Sequence, residues 1–133
     1  MAYLGRVLVV DDDHDIVEGI CIRLHAAGYE VMVIYDGQQC VANAIRYQPD
    51  AILLDMRMPN MDGISVLAQL KQLSDTQAIP VVMLSASLVN RQAALRAGAS
   101  FFIVKPYERL DLLAALKSVI QEKAKAPESA ATG

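Results

Sequence analysis

The sequence has little of what several large classes of protein require. Its 133 residues include only two cysteines, Cys21 and Cys40, and the two show no metal-type pairing. We expect both to be buried, reduced thiols, as in a reducing cytoplasm. Basic residues number 12 against 15 acidic ones, so no basic face for nucleic acid or for an anionic membrane is predicted.

Long apolar runs are missing as well. None approaches the roughly 20 residues that span a bilayer. The apolar run near the N-terminus is too short for the core of a signal peptide and meets three acidic residues at once. These features predict a cytoplasmic protein without a membrane-spanning segment.

What the sequence does contain is a regular alternation of apolar segments. The composition is 54% hydrophobic, and the length favours one domain with a sizeable core. Short runs rich in β-branched residues predict strands at 6–10, 30–34, 52–54, 81–84 and 101–104. Apolar residues at helical spacing predict helices after the first strand and at 38–47, 64–73, 89–97 and 109–123. Residues 125–133 are expected to form a flexible tail or the start of a linker.

Five strands that alternate with five helices predict an α/β fold. Right-handed crossovers between parallel strands place helices on both faces of the sheet, which gives three layers. Among doubly wound five-stranded parallel sheets, the flavodoxin-like (βα)5 order 2-1-3-4-5 is the prediction. In that order the first and third strands are neighbours, and ligands bind at the carboxyl edge between them.

Chemically active side chains follow four of the five predicted strands. The first strand ends at Asp11 and Asp12, the third at Asp55, the fourth at Ser85 and the fifth at Lys105. Three neighbouring carboxylates repel one another, so a raised pKa or a bound cation is expected. Oxygen ligands of this kind suit Mg²⁺. Asp13 is predicted to be the N-cap of the first helix rather than a ligand.

This set of side chains predicts phosphoryl transfer. A carboxylate beside Mg²⁺ can attack phosphorus and form an aspartyl phosphate. Asp55 is the natural nucleophile because it stands alone at its strand end, and Asp11 and Asp12 are the natural metal pair. Lys105 and the hydroxyl of Ser85 are placed to neutralise the charge of the transferred group.

Four motifs together resemble the receiver domain of two-component response regulators. They are VLVVDDD, LLDMRMPNMDG, VVMLSAS and the KP of FFIVKPY, and the resemblance covers about residues 5–124. It implies that Asp55 accepts a phosphoryl group from the phosphohistidine of a sensor histidine kinase or a phosphotransfer protein. It also implies that Asp12 is the more direct Mg²⁺ ligand and that the Met56 carbonyl is a further one.

The same resemblance implies a switch. Ser85 would bond the phosphoryl group, and Phe102, which matches the family's mobile aromatic, would swing inward. The output face would be formed by the fourth helix, the fifth strand and the last helix. Only 13 positions separate Ser85 from Gly98, fewer than the family usually has, so we expect a short or mobile fourth helix.

Three further expectations come from the resemblance. Arg57 and Ser87 match positions that flank the phosphoryl group and set its lifetime. The Lys105–Pro106 peptide bond is expected to be cis. The domain, residues 1–124, would catalyse only its own phosphorylation and dephosphorylation. It would act on an unknown downstream protein or output domain and bind no nucleic acid directly. It is expected to be a monomer or weak homodimer.

Two alternatives remain open at the level of sequence. Asp11-x-Asp13 superficially fits a Mg²⁺-dependent phosphohydrolase of the haloacid dehalogenase kind, in which Asp11 would be the nucleophile. The chain could also be a pseudo-receiver, an interaction module that is not phosphorylated. The first alternative leaves the DMRMPNMDG segment unexplained, and the second is disfavoured because none of the five site residues is missing.

Overall fold

Five strands of one sheet alternate with five α-helices in the structure, a computed structural model that describes residues 4–58, 61–105 and 109–125. The strands are β1 (Gly5–Val10), β2 (Tyr29–Ile34), β3 (Ala51–Asp55), β4 (Val81–Ser85) and β5 (Phe101–Val104). The helices are α1 (His14–Ala26), α2 (Cys40–Tyr47), α3 (Gly63–Gln72), α4 (Arg91–Arg96) and α5 (Arg109–Lys125).

The sheet is parallel throughout, with the strand order β2-β1-β3-β4-β5. The predicted flavodoxin-like order is therefore confirmed. Val10 at the end of β1 pairs with Leu54 near the end of β3. This register brings the residues that follow the two strands together at the carboxyl edge of the sheet.

Two apolar clusters cover the two faces of the sheet. Side chains of α2, α3 and α4 pack on one face, around Leu8, Ile52 and Met83. Side chains of α1 and α5 pack on the other, around Val9 and Leu53. Every residue of β3 and β4 is buried, as expected for central strands covered on both faces.

The two cysteines differ in their surroundings. Cys40 is fully buried at the start of α2, as predicted, and burial raises the pKa of its thiol to about 12. Cys21 lies on α1 and is only partly buried, so the expectation of burial is wrong for this residue. It lies at the edge of the buried apolar face of α1, next to the exposed Ile22.

Polar caps define where the helices start. The carboxylate of Asp13 accepts hydrogen bonds from the backbone N–H groups of Asp15 and Ile16, which confirms its predicted role as the cap of α1. Asp62 caps α3 in the same way, through the N–H of Ile64. Both caps fix the helices that leave the carboxyl edge of the sheet.

The segment between β4 and β5 does not form one continuous α-helix. A 3-10 turn, Leu88–Asn90, precedes the six-residue α4. The Ser87 hydroxyl accepts a hydrogen bond from the N–H of Val89 and so caps the 3-10 turn. The expected short fourth helix is confirmed, and the predicted helix at 89–97 is divided into these two parts.

The loop after β3 contains a small hairpin that the sequence did not predict. Arg57–Met58 pairs with Met61–Asp62 in antiparallel fashion. The side chains of Met58 and Met61 fill the space where a Cβ atom on Gly37 would project. The hairpin is thereby packed against the turn that leads into α2.

Candidate functional site

Three carboxylates meet at the carboxyl edge of the sheet. Asp11, Asp12 and Asp55 each offer an oxygen atom within 4.8 Å of the others. Asp11 is fully buried and Asp55 is 6% exposed, whereas Asp12 faces solvent. The N–H of Asp11 donates to the carbonyl of Ile34, so the end of β1 is fixed against β2.

Lys105 directly follows the edge strand β5 and contacts Asp55 and Asp11. Its Nζ lies 2.8 Å from Asp55 Oδ1 and 3.4 Å from Asp11 Oδ2. The backbone positions it, because the N–H of Lys105 donates to the carbonyl of Ser85 at 2.6 Å. The end of β5 is thus tied to the end of β4, beside Asp55.

The charges shift the proton affinities of this pair. Burial, and then the charges of Asp11 and Asp12, raise the pKa of the Asp55 carboxyl group, although the bond from Lys105 opposes the shift. Burial alone would lower the pKa of Lys105. The hydrogen bond and charge of Asp55, together with Asp11, outweigh burial and raise it. Lys105 is therefore a stable cation beside a carboxylate whose negative charge is disfavoured.

The donor atoms fit a hard divalent cation. The three acids supply carboxylate oxygens, the ligands that Mg²⁺ prefers. The Met56 carbonyl accepts a hydrogen bond from the N–H of Gly63 at 2.9 Å, and its second lone pair remains available. Two of the three acids are buried, so a cation there would relieve a repulsion that Lys105 only partly neutralises.

Ser85 lies at the end of β4 and is turned towards the backbone of its own loop. Its hydroxyl donates to the carbonyl of Ser87 at 3.0 Å and accepts from the N–H of Ser87 at 3.1 Å. The predicted switch hydroxyl is therefore engaged locally. It is also nearly inaccessible, at 3% exposure.

A cavity of about 230 Å³ opens beside Asp55. Its polar lining comes from Asp55, Ser85 and Lys105 and, around them, Arg57, Ser87 and Asn90. Asp55 is the one member of the carboxylate trio in this lining, as far as the described residues show. Asp55 therefore faces both the metal ligands and a space for a second group.

Of the two cavity-lining residues Arg57 and Asn90, only Arg57 is predicted from the sequence. Arg57 was predicted beside the site, and it lines the cavity without forming an ion pair to any residue that the structure describes. Asn90 was missed. An asparagine before a short helix is an ordinary cap signal, and no pattern in the sequence indicates that it lines the cavity.

Two other predicted positions lie around the site. Phe102 is partly buried and packs against the core cluster beneath α2, α3 and α4. It also borders a cavity of about 490 Å³ between β5 and α5. Its mobility, and the lifetime roles of Arg57 and Ser87, stay predictions. The Lys105–Pro106 bond lies outside the described residues because Pro106 is not among them.

An aromatic pair that the sequence did not predict stands near the acidic loop. The rings of His14 and Tyr35 stack with their centroids 3.9 Å apart and their planes within 6°. His14 begins α1 and Tyr35 follows β2, so the stack joins two loops at the carboxyl edge. Both residues are exposed. No helix in the described ranges is long and apolar enough to cross a membrane.

Two transcriptional regulators are similar in sequence to this chain over most of its length. The transcriptional regulatory protein PrrA of Mycobacterium leprae is 40% identical over 120 residues, which are 89% of this chain and 51% of PrrA. The DNA-binding dual master transcriptional regulator RpaA of Synechocystis is 33% identical over 129 residues, which are 96% of this chain and 54% of RpaA. The chain thus spans about half the length of these curated relatives.

Solved structures agree with the fold. A CheY-like response regulator receiver domain protein from Methanospirillum hungatei superposes with a TM-score of 0.86 at 30% identity, covering 93% of this chain and 99% of that one. The receiver domain of a Pseudomonas aeruginosa sensor histidine kinase, solved with a magnesium ion in its active site cleft, gives a TM-score of 0.81 at 31% identity. The overlap with it covers 88% of this chain and 98% of that domain.

The family is shown directly by a family model. The model described as "Response regulator receiver domain" matches residues 7–117, most of the length of the chain. Receiver domains of response regulators are signalling modules rather than classical enzymes. On its fold, its acidic site and this match, the chain belongs to the response regulator receiver domain family.

Proposed function

We propose that Asp55 accepts a phosphoryl group from the phosphohistidine of a sensor histidine kinase or a phosphotransfer protein, and that the chain signals through its phosphorylated state. The observation that carries this proposal is the position of Asp55. It contributes an oxygen to the carboxylate trio and also lines the cavity that contains Lys105. The Lys105 ammonium lies 2.8 Å from Asp55 Oδ1, where a phosphoryl oxygen would need a cation.

The transfer exchanges one phosphorus bond for another. A carboxylate oxygen of Asp55 attacks phosphorus, the P–N bond to the donor imidazole breaks, and the imidazole leaves with the electron pair and takes up a proton. Asp55 suits this step because burial and the nearby charges of Asp11 and Asp12 disfavour its carboxylate form, as the raised pKa of the group indicates. Lys105 then donates to the transferred group.

Mg²⁺ held by Asp11, Asp12, Asp55 and the Met56 carbonyl would neutralise charge on the transferred group. Asp12 is the exposed member of the trio, so its carboxylate is accessible to ions from solvent. Asp11 is less suited to be a nucleophile. Its Oδ1 accepts the N–H of Asp13 at 3.0 Å and its Oδ2 contacts Lys105. This favours the receiver mechanism over a haloacid dehalogenase mechanism that acts through Asp11.

The response to phosphorylation follows from the added charge. A phosphoryl group brings about −1.5 to −2 charge and three acceptor oxygens. Ser85 would turn to donate to one of them, and Phe102 would then move inward to shift the face made by α4, β5 and α5. Arg57 and Ser87 would tune the lifetime of this state.

Residues 1–124 would form the receiver unit, and residues 125–133 the tail or linker. The chain would act in the cytoplasm as a monomer or weak homodimer. Its target would be a downstream protein or output domain.

Phosphorylation can be tested with a small phosphodonor and Mg²⁺, followed by mass mapping of the modified aspartate. We expect one modified residue, Asp55, and no labelling of the Asp55→Asn variant. Asp12→Asn should label more slowly because a metal ligand is lost. Asp75→Asn, an exposed acid on the loop between α3 and β4, is the matched control and should label normally.

Each contrary result points to a specific alternative. A phosphoryl group on Asp11, or labelling that survives Asp55→Asn, would contradict the assignment of Asp55 and favour the phosphohydrolase mechanism. A chain that neither labels nor binds Mg²⁺ would be an unphosphorylated interaction module.

A further inference from the structure

Asn90 is a cavity residue that the proposed mechanism has not used. It ends the 3-10 turn Leu88–Asn90 and directly precedes α4. It lines the cavity of about 230 Å³ together with Asp55 and Lys105. Its side chain forms no capping hydrogen bond to the helix that follows, so the carboxamide is not committed there.

The neighbouring serine hydroxyls already have hydrogen-bond partners in the structure. The Ser87 hydroxyl accepts the N–H of Val89 at 3.1 Å. The Ser85 hydroxyl is bonded to both backbone groups of Ser87. Arg57 offers a cation, which can contact a phosphoryl oxygen but has no acceptor for a water proton. The Asn90 carboxamide is thus the polar side chain on the α4 side of the cavity that has no hydrogen-bond partner among the described residues, and its oxygen can accept from water.

We propose that Asn90 is a water-positioning residue for the hydrolysis of phosphorylated Asp55, an inference that rests on the phosphoacceptor role of Asp55. The carboxamide oxygen of Asn90 accepts a hydrogen bond from a water molecule in the cavity and holds that water opposite the Asp55 oxygen. The water oxygen attacks phosphorus, and the bond between phosphorus and the Asp55 oxygen breaks. The carboxylate leaves with the electron pair, and inorganic phosphate carries away the water oxygen with its two protons.

The chemistry and the space both suit this role. Phosphoryl transfer requires the attacking and leaving oxygens to be in line, and a neutral amide side chain is a known means of orienting the attacking water in such reactions. A water molecule takes about 30 Å³ of liquid volume, so a cavity of this size has space for water beside a bound group. The shortened segment between β4 and α4 places Asn90, the third residue after Ser87, at this cavity.

The experiment follows the decay of the phosphorylated chain. Protein is labelled on Asp55 with a small phosphodonor and Mg²⁺, the donor is removed, and the loss of label is timed for the unchanged chain and for Asn90→Ala and Asn90→Ser. Asn90→Ser removes the carboxamide but keeps a residue type that favours turns. Gln92→Ala removes a carboxamide from the exposed side of α4, outside the cavity lining, and is the matched control.

Both Asn90 variants should lose label roughly three- to tenfold more slowly, as expected when one net hydrogen bond to the attacking water is lost. Gln92→Ala should decay like the unchanged chain. Beryllofluoride, which mimics the phosphoryl group but is not hydrolysed, should bind the Asn90 variants with unchanged affinity. A residue that only maintains the structure of the loop would instead change beryllofluoride binding and thermal stability together.

Three results would overturn the inference, and they differ from a failure of the proposed function. Unchanged decay in both Asn90 variants removes the role of the carboxamide. Weakened beryllofluoride binding shows that Asn90 holds the phosphoryl group itself rather than the water. If the unchanged chain takes no label at all, the phosphoacceptor role fails first, and the inference about Asn90 fails with it.

Discussion

The carboxyl group of Asp55 is subject to two opposed influences. Lys105 favours its negative charge, whereas burial and the charges of Asp11 and Asp12 oppose it. The opposing influences are the stronger, since the net effect is a raised pKa. In the absence of a divalent cation the ionised form of Asp55 is therefore a source of instability in the folded protein.

Replacing Asp55 by its neutral isostere should stabilise the Mg²⁺-free protein near neutral pH. In the unfolded chain the group titrates near 3.8, and in the folded protein its pKa is higher, so ionisation costs the folded state free energy once the pH exceeds both values. We expect the urea midpoint of Asp55→Asn to exceed that of the unchanged chain at neutral pH. The difference should shrink as the pH falls and vanish below the unfolded-state value.

The exposed Asp75→Asn should show no comparable gain at any pH. A lower midpoint for Asp55→Asn at neutral pH would mean that the bond from Lys105 contributes more than burial and repulsion remove.

The residues that carry chemistry could be predicted because each one ends a strand or directly follows one. Asp11, Asp55 and Ser85 needed only the strand order to be brought to one edge of the sheet. Asn90 and the His14–Tyr35 stack could not be found in this way. Their positions depend on turn geometry and on rings from separate loops, which leave no periodic pattern in the sequence.

At the scale of elements, the junction between β3 and α3 leaves no room for a side chain at Gly63. A Cβ atom on Gly63 would lie 2.8 Å from the carbonyl oxygens of both Asp55 and Met56, and 2.9 Å from Met56 Cα. These are backbone atoms, so they cannot move aside as a flexible side chain would. The first residue of α3 must therefore lack a Cβ atom for the Met56 carbonyl to keep its position.

Gly63→Ala should consequently damage both stability and metal binding. We expect a loss of about 1–3 kcal/mol in the free energy of unfolding, as for other overpacked positions. Weaker Mg²⁺ binding should accompany it, because the Met56 carbonyl would be displaced. Chemical denaturation and a Mg²⁺ titration by NMR measure the two effects.

Gly19→Ala provides the contrasting control. Gly19 lies within α1 with no atom within 4 Å of its added Cβ, so alanine there should stabilise the protein by about 0.5–1 kcal/mol. Equal effects of the two substitutions would show that the crowding at Gly63 has no consequence for the fold.

The elements that were predicted and those that were missed differ in what determines them. The five strands of the main sheet and the long helices follow from apolar periodicity and from capping residues such as Asp13. The hairpin of Arg57–Met58 and Met61–Asp62 has strands of two residues, too short to show a period. Its methionines pack against Gly37, a contact between loops that are distant in the sequence.

At the scale of the whole molecule, the site ties the two halves of the sheet together. Asp11 comes from β1, Asp55 from β3, and Lys105 follows the edge strand β5. Any ligand that binds these groups together binds the folded chain alone, since the groups are far apart in the unfolded one. Ligand binding should therefore be measurable as global stability.

Mg²⁺ should raise the free energy of unfolding by about 2.7 kcal/mol when its free concentration is a hundredfold above its dissociation constant. Asp12→Asn should gain less at the same concentration because it lacks one carboxylate ligand. Urea denaturation across a Mg²⁺ series measures both, with Asp75→Asn as a control that should behave like the unchanged chain. An equal gain in Asp12→Asn would place the cation elsewhere.

The hydroxyl of Ser85 has one proton, so it can donate a hydrogen bond to only one acceptor at a time. In the structure the proton is donated to the Ser87 carbonyl, next to the capped turn that carries Leu88 and Val89, which are 63% and 86% exposed. A hydroxyl that donates to a phosphoryl oxygen cannot donate to Ser87 at the same time. Phosphorylation of Asp55, if it takes this proton, would therefore free the Ser87 carbonyl, directly before the exposed apolar pair Leu88 and Val89.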